Sequence, residues 1–225
     1  MCGRFSLVTS REKLQQQLPF LEIDEAPKPS FNIAPTQQTP VISNDDPTHL
    51  HMMTWGLVPF WDKTGKPTGK LINARSETVA SKPAFKRAFQ RRRCLVPADS
   101  FYEWKRVDGK KVPYRIFLRN GDLLLFAGIW DEWTDGENRL RSFSILTTNP
   151  NKEISVVHDR MPVVLLDNDA QWKWLMEDDP GRLQDFLHSP PDGIFDMYPV
   201  STEVNYPGNN SPRLHEPWLP PATLF

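Results

Sequence analysis

Cysteine is nearly absent from this 225-residue sequence, which contains only Cys2 and Cys94. Two thiols are too few for a cysteine zinc site, and in a reducing compartment they favour free thiols over a disulfide framework. Long apolar runs are also missing, since none approaches the roughly 18–20 residues of a membrane-spanning helix. The sequence lacks the apolar segment of a signal peptide. We therefore expect a cytoplasmic protein with no membrane partner.

The motifs of several common enzyme classes are missing as well. The sequence has no P-loop, GxGxxG, GxSxG, HExxH or CxxC pattern, which leaves nucleotide-binding, serine-hydrolase and zinc-enzyme interpretations without support. No metal and no cofactor is expected. Glycine is scarce, with 11 residues against 22 prolines, and this balance favours short elements joined by rigid loops.

The net charge is only −1, but the basic residues are concentrated in the middle of the chain. Residues 82–115 contain eleven Lys and Arg against three Asp and Glu. A solvated helix face accounts for such a run in many proteins. A polyanion-binding surface is the alternative.

The residue pattern predicts one domain over residues 1–225, of the α+β class, with no internal repeat or linker. Helices are predicted at 10–18, 82–92, 168–176 and 182–188, with a short one beginning at Asn149-Pro150. Strands are predicted at 5–9, 39–43, 49–58, 94–97, 101–106, 113–118, 123–130, 140–147 and 163–166. Three Asx-Gly dipeptides predict that the strands between 94 and 147 form an antiparallel meander. Residues 27–35 are predicted to be a loop, and the acidic C-terminal tail is expected to wrap the surface.

The segment Met1-Cys2-Gly3-Arg4 has the most unusual chemistry of the chain. Removal of Met1 would leave Cys2 with an α-amine and a thiol on adjacent carbons, whose reference pKa values are about 8 and about 8.5. With an aldehyde the amine forms an imine, and the thiol then closes a thiazolidine ring. With an amide the same thiol is a peptidase or amidotransferase nucleophile. A small buried side chain near the start of the chain is the simpler alternative.

Three further positions are candidates for a site. Strand alternation over residues 101–104 places Glu103 among large apolar residues, where a carboxyl group becomes a general acid or base unless it lies at a solvated strand edge. His158 has the residue type that titrates near neutral pH. In an extended segment, Asn73 and Arg75 project to one side, where one can orient a substrate while the other holds a phosphate.

Seven short motifs in this sequence resemble those of the SOS response-associated peptidase family. They are, in order, Met1-Cys2-Gly3-Arg4-Phe5, Phe31-Asn32-Ile33-Ala34-Pro35, Trp55-Gly56-Leu57-Val58-Pro59, Ile72-Asn73-Ala74-Arg75-Ser76-Glu77, Pro97-Ala98-Asp99, Phe101-Tyr102-Glu103-Trp104 and His158-Asp159-Arg160-Met161-Pro162. Each motif is weak alone, but the seven in this order cover nearly the whole chain. The resemblance implies a mostly antiparallel, barrel-like β-sheet with flanking short helices.

The resemblance also implies a function. The protein would sense abasic sites in single-stranded DNA and crosslink to the aldehyde of the abasic sugar through Cys2, as a thiazolidine. Autoproteolysis or an aminopeptidase would first remove Met1, so thiol autopeptidase and abasic-site lyase activities are implied as well. The implied partner is single-stranded DNA that contains abasic sites, bound by a monomeric, nucleoid-associated protein.

The family motifs assign a role to each candidate residue. By this resemblance Cys2 is the crosslinking nucleophile, and Asn73 positions its amine and the sugar. Glu103 is the acid and base for Met1 removal and for making and reversing the linkage, while His158 assists opening of the sugar ring. Implied phosphate contacts are Arg4, Arg75 and Arg160, and implied base contacts or pocket walls are Pro35, Trp55, Trp61 and Trp104. The family often has paired Trp where this chain has Phe60-Trp61, which leaves open which aromatic residue stacks on a base.

Two other function classes fit parts of the sequence. A glutamine amidotransferase-like N-terminal-nucleophile hydrolase also begins Met-Cys-Gly, but the substrate-binding motifs expected after that start are missing. A non-catalytic nucleic-acid-binding module would need only the cations and the tryptophans. Formation of a covalent adduct with abasic DNA separates the crosslinking protein from both.

Overall fold

Two β-sheets form the centre of the structure, a computed structural model that describes residues 2–218. Within these residues the strands are, in chain order, β1 (Phe5–Leu7), β2 (Ser30–Ile33), β3 (Gln38–Ser43), β4 (Asp46–Trp55), β5 (Asn73–Arg75), β6 (Arg93–Ala98), β7 (Ser100–Val107), β8 (Lys110–Leu118), β9 (Leu124–Thr134), β10 (Arg139–Thr148), β11 (Met161–Pro162) and β12 (Phe195–Pro199). The helices are α1 (Arg11–Gln17), α2 (Pro83–Arg91), α3 (Lys152–Ser155) and α4 (Asn168–Met176), with 3-10 helices at Arg182–Phe186, Thr202–Asn205 and Pro212–His215. Met1 and the last seven residues of the predicted domain lie outside the described range.

The first sheet has the strand order β12-β8-β7-β1-β2 and is antiparallel throughout. Its strand β1, which follows Cys2, pairs with β7 on one side and β2 on the other. The pairs Phe5↔Phe101 and Phe5↔Ile33 set the register on the two sides. The N-terminal segment is therefore held inside a sheet.

The second sheet closes on itself. β9 pairs with both β6 and β10, so the order β10-β4-β3-β6-β9 returns to β10 and forms a five-stranded ring. Closure leaves no free edges between these strands. β4 and β5 run parallel to β10, and the other pairs are antiparallel. The predicted α+β class and the barrel-like sheet are confirmed.

The predicted meander between residues 94 and 147 is wrong, because its strands are divided between the two sheets. β7 and β8 form a hairpin in the first sheet, where the outer edge of β8 pairs with β12 rather than with β9. β6, β9 and β10 belong to the ring instead. The Asn120-Gly121 turn, with Gly121 at φ +79°, leads from one sheet to the other.

Two further local predictions are wrong, and the helix predicted at 182–188 is shorter than expected. Residues 30–33, predicted as loop, form β2, because they pair with the side of β1 that β7 does not occupy. The strand predicted at 163–166 is replaced by the two-residue β11, after which Val164 forms a single bridge to Phe126. The segment predicted as a helix at 182–188 is a 3-10 helix at Arg182–Phe186. In the C-terminal tail, β12 is a sheet strand that sequence patterns did not indicate.

Helices α1 and α2 follow their predictions closely. Ser10 caps α1 by accepting from the Lys13 backbone amide, and Leu14 faces the core. In α2 the apolar side chains Phe85 and Phe89 are buried, while the cations point outward. Of the helices within residues 2–218, none has the length and hydropathy that crossing a membrane requires.

Candidate active site

Cys2 lies three residues before β1 and is fully buried. Its thiol donates a long hydrogen bond to the Arg4 carbonyl oxygen, with a sulfur-to-oxygen distance of 3.8 Å. Burial raises the pKa of the Cys2 thiol, and the nearby Glu103 carboxylate adds to that shift. Cys2 belongs to a buried apolar cluster that also contains Phe5, Trp55 and Phe143.

Glu103 reaches the N-terminal segment through the register of β1 and β7. The Tyr102 amide donates to the Arg4 carbonyl oxygen, so the antiparallel register brings Gly3 beside Glu103. The carboxyl group is only 2% exposed, as strand alternation predicted, and the alternative of a solvated strand edge is wrong. Burial raises the pKa of Glu103, and the neighbouring His158 partly offsets this effect.

Asn73 comes from the other sheet. It begins β5, which pairs in parallel with β10 at Ile145. Its side-chain Nδ2 donates to the Cys2 carbonyl oxygen over 2.7 Å. Its Oδ1 is buried and has no hydrogen-bond partner within residues 2–218. Asn73 therefore fixes the position of Cys2 and keeps one acceptor unused.

His158 follows α3 and faces Glu103. Its backbone amide donates to the Ile154 carbonyl oxygen, and its Nε2 lies 3.8 Å from Glu103 Oε2. The Arg160 amide donates to His158 Nδ1 over 3.0 Å, while the exposed Asp159 carboxylate lies 2.9 Å from the same nitrogen. A backbone amide cannot rotate away as Asp159 can, so we assign Nδ1 as acceptor and place the proton of the neutral ring on Nε2, toward Glu103.

A groove of about 640 Å³ opens beside Glu103 and His158. β7 and β8 form one wall, and residues 156–159 form the other. Glu103 lies at its buried end, and three cations line its more exposed part, namely Lys105, Arg106 and Lys111. The four residues expected to carry chemistry therefore meet around Cys2 and next to an open groove.

Arg4, expected at a DNA phosphate, is a buried residue in this structure. Its Nη1 donates to Asn32 Oδ1 over 2.7 Å and to the Val204 carbonyl oxygen over 2.6 Å. Only 8% of Arg4 is exposed. The positive charge of Arg4 within a motif predicts a contact with an anion. The sequence does not show that Arg4 instead bonds to a carbonyl group of a distant C-terminal segment. The guanidinium here holds the N-terminal segment, and the phosphate contact stays a prediction.

Arg160 is paired with Glu77 in a two-pronged ion pair, with distances of 2.5 Å and 3.0 Å. It also donates to the Thr147 carbonyl oxygen, which ties the segment after His158 to β10. Arg75, by contrast, is exposed at the end of β5. Of the three expected phosphate contacts, Arg75 is the most accessible.

The four residues expected at base contacts or pocket walls differ in exposure. Trp61 is 55% exposed, and next to it Arg87 stacks on the Phe60 ring at 4.0 Å. Trp55 is fully buried and donates to the Ile72 carbonyl oxygen, so it supports the site from within. Pro35 and Trp104 are half-buried, and the indole Nε1 of Trp104 donates to Asn205 Oδ1.

Two residues with clear structural roles were missed by the sequence patterns. Asn32 accepts from Arg4 and donates to the carbonyl oxygens of Tyr206 and Asn209. Glu77 holds Arg160. Both lie in the motifs quoted above, which was the available signal. The described residues contain no group of three or more His, Cys, Asp or Glu side chains suited to a metal ion.

Comparison with known proteins finds relatives that are named abasic site processing proteins. The abasic site processing protein YoqW of Bacillus subtilis is 43% identical over 223 residues, covering 96% of this chain and 99% of the relative. The abasic site processing protein HMCES of Xenopus tropicalis is 33% identical over 219 residues, covering 83% of this chain and 65% of the relative.

Solved structures and a family model extend the comparison. A crystal structure of a Bacteroides thetaiotaomicron protein superposes with a TM-score of 0.85 at 23% identity, covering 97% of this chain and all of that one, and so supports the fold. The family model described as SOS response associated peptidase (SRAP) matches residues 1–207. The chain belongs to the SOS response associated peptidase family.

Proposed function

We propose that this protein detects abasic sites in single-stranded DNA and links itself covalently to them through Cys2 after Met1 has been removed. The observation that supports this best is the 2.7 Å hydrogen bond from Asn73 to the Cys2 carbonyl oxygen, which holds the reacting residue beside Glu103 and His158. Two relatives at 43% and 33% identity are named abasic site processing proteins. Family membership favours this function over a glutamine amidotransferase-like hydrolase.

The reaction begins with the open-chain aldehyde of the abasic sugar. The Cys2 amine adds to the aldehyde carbon to give a carbinolamine, which loses water and becomes an imine. The Cys2 thiol then adds to the imine carbon, and its proton passes to the nitrogen. The product is a thiazolidine that retains all atoms of both reactants except the water released.

Glu103 suits the proton transfers at the Cys2 nitrogen. Because burial raises its pKa, the carboxyl group keeps a proton at a higher pH than an exposed glutamic acid. In that form it can donate a proton to the hydroxyl group that leaves as water. The resulting carboxylate can take the proton back in later steps and during reversal.

His158 suits the opening of the sugar ring. The closed sugar is a hemiacetal, and its ring oxygen must gain a proton as the aldehyde is released. The Nε2 proton assigned above points to the Glu103 side of the site, where the sugar would react with Cys2. Asn73 Oδ1, which is buried, provides an acceptor for the Cys2 amine after Met1 has left.

An oligonucleotide with one abasic site, incubated with the protein without borohydride, tests this proposal. We expect an adduct that survives a denaturing gel, because a thiazolidine resists hydrolysis and a simple imine needs reduction to survive. Intact mass should show protein that begins at Cys2. Cys2→Ala should give no adduct, and Cys94→Ala, which removes the other buried thiol, should crosslink at the normal rate.

The outcomes separate the hypotheses. Glutaminase activity without an adduct would support the amidotransferase-like hydrolase, and reversible binding alone would support the non-catalytic binding module. Crosslinking by protein that retains Met1 would contradict the thiazolidine, because only a free α-amine can close that ring. Gel filtration with light scattering tests the expected monomer.

A further inference from the structure

We propose that the groove next to Glu103 binds the phosphodiester backbone of the DNA strand on one side of the abasic site, through Lys105, Arg106 and Lys111. This inference rests on the proposed function and adds to it a preference among substrates. The ligand class is a polyanionic single strand. The groove has a volume of about 640 Å³ and begins at Glu103 and His158.

The strand edge that borders the groove is open. β1 pairs with β7 only at Ser100 and Phe101, and the Tyr102 amide donates to Arg4 beyond them. Backbone amides alternate in direction along a strand, so the amide of Arg106 points to the same side as that of Tyr102. Within residues 2–218 no strand pairs with this side of β7 at Arg106. An open edge presents backbone N–H donors, which suit phosphate oxygens.

The three groove cations have no ion-pair partner among the described residues, although the carboxylates of Glu103 and Asp159 also line the groove. Arg106 and Lys111 are directly opposite each other in the β7–β8 hairpin, a pairing of like charges that destabilises a sheet. No ion pair or side-chain hydrogen bond joins Lys105, Arg106 or Lys111 to any other residue of the described chain. A bound phosphate that contacts both Arg106 and Lys111 would offset their repulsion.

The groove extends from Glu103 along β7, whereas Arg75 lies at the end of β5 in the other sheet. Cys2 is held by Asn73 of β5 and lies beside Glu103 of β7. Arg75 is two residues beyond Asn73 in one sheet, and Lys105 is two residues beyond Glu103 in the other, a step of about 7 Å along each strand. A DNA strand whose abasic sugar sits at Cys2 would therefore meet the groove with the nucleotides on one flank of that sugar.

This arrangement predicts unequal use of the two flanks. A strand that has nucleotides only on the flank away from the groove leaves the groove empty. Its affinity should not depend on the groove cations. A strand with nucleotides on the groove side should lose affinity when those cations are removed.

The test uses two oligonucleotides of equal length, one with the abasic site at its 5′ end and the other with it at its 3′ end. Binding is measured against salt in a Cys2→Ala background, which keeps binding reversible. Arg106→Ala and Lys111→Ala should each flatten the slope of log affinity against log salt by roughly 0.7 for one oligonucleotide and leave the other unchanged. Lys110→Ala is the matched control, because Lys110 is a cation of the same hairpin outside the groove lining.

Equal flattening for both oligonucleotides, or for neither, would overturn the proposal. An effect of Lys110→Ala as large as that of Arg106→Ala would also overturn the proposal, because the salt slope would then depend only on the total charge of the hairpin. Melting temperature checks that the exposed-residue variants are folded. Failure of the proposed function is seen separately, as the lack of any adduct between the wild-type protein and either oligonucleotide.

Discussion

The side chain of Asn73 donates to the Cys2 carbonyl oxygen over 2.7 Å and thereby joins β5, which pairs with β10 of the closed ring, to Cys2, three residues before β1. Asn73→Asp keeps the size of the side chain and removes this donor. A net loss of about 1.4 kcal/mol, ordinary for a hydrogen bond of this kind, corresponds to a tenfold effect. We therefore expect the crosslinking rate at saturating abasic oligonucleotide to fall by about tenfold or more.

Single-turnover denaturing gels measure that rate. Asn138→Asp, the same change at an exposed hairpin position, is the control and should have no effect. A rate for Asn73→Asp equal to that of the control would remove Asn73 from the reaction.

The second prediction concerns the pH dependence of stability. Burial raises the pKa of Glu103 above its ordinary value of 4.5, so the folded protein holds this proton to a higher pH than the unfolded chain does. The contribution to stability is complete below 4.5 and is lost as the pH rises through the raised pKa. Glu103→Gln has no such proton, so its unfolding free energy should improve relative to wild type as the pH increases.

Urea unfolding across a pH series measures this difference. Glu137→Gln, at an exposed turn position, provides the comparison and should track the wild type at every pH. If the difference in unfolding free energy between Glu103→Gln and wild type did not change with pH, Glu103 would titrate in the folded protein as it does in the unfolded chain.

The third prediction separates His158 from Glu103 by the step each assists. His158→Ala should slow crosslinking to an abasic sugar but not to a simple aldehyde, which has no ring to open. Glu103→Gln should impair Met1 removal. With an N-terminus freed by other means, Glu103→Gln should also slow reversal of a preformed linkage. The measurement is the crosslinking rate of each variant with both aldehydes, using protein confirmed by mass to begin at Cys2. Equal slowing of His158→Ala on the two aldehydes would rule out its assignment to ring opening.

The fourth prediction follows from the ion pair of Glu77 with Arg160. If Arg160 contacts a phosphate, that phosphate must displace Glu77, which holds both terminal nitrogens of the guanidinium. Glu77→Gln weakens the competing contact, so affinity for single-stranded DNA should increase and the salt slope should steepen by roughly 0.7.

Arg160 also lowers the pKa of Glu77, so the stability from this pair is present above the ordinary pKa of 4.5 and is lost as the pH falls through the lowered one.

Fluorescence anisotropy against salt tests the affinity, and acid unfolding tests the stability. The variant should lose less stability than wild type on acidification. A Glu77→Gln protein with unchanged affinity and slope would indicate that Arg160 keeps its structural contacts when DNA binds.

The fifth prediction distinguishes stacking from charge at the exposed edge of the site. Trp61→Ala should weaken single-strand binding by about 1–3 kcal/mol without changing the salt slope, as expected for a ring that stacks on a base. Arg75→Ala should flatten the slope. Trp172→Ala, another exposed tryptophan, lies on α4 and serves as control. Equal binding of duplex and single-stranded DNA by the wild type would be inconsistent with a stacking role for Trp61.

Elements with strong local signals could be predicted from the sequence. Ser10 fixed the start of α1, the apolar spacing of Phe85 and Phe89 fixed α2, and strand alternation predicted the burial of Glu103. In each case the signal and the structure it specifies lie within one or two turns, or one strand. Local residue patterns were therefore enough to predict these features.

Pairings between distant segments could not be predicted in this way. β2 looks like loop in isolation, and its formation depends on β1 and on the contacts of Asn32 with Tyr206 and Asn209. The burial of Arg4 depends on the Val204 carbonyl group, 200 residues away. No local pattern reports such a partner, so a buried structural arginine and a phosphate-binding one have the same sequence signature.

The position of β1 between two strands has a mechanical consequence for the proposed adduct. DNA attached at Cys2 would be joined to an interior strand, so a translocating motor that pulls on the DNA would load the hydrogen bonds to β2 and β7 together. Proteases would reach the Cys2–Gly3–Arg4 segment only after this sheet had come apart. Digestion of the unfolded adduct by an enzyme that cuts after arginine would leave a tripeptide on the DNA.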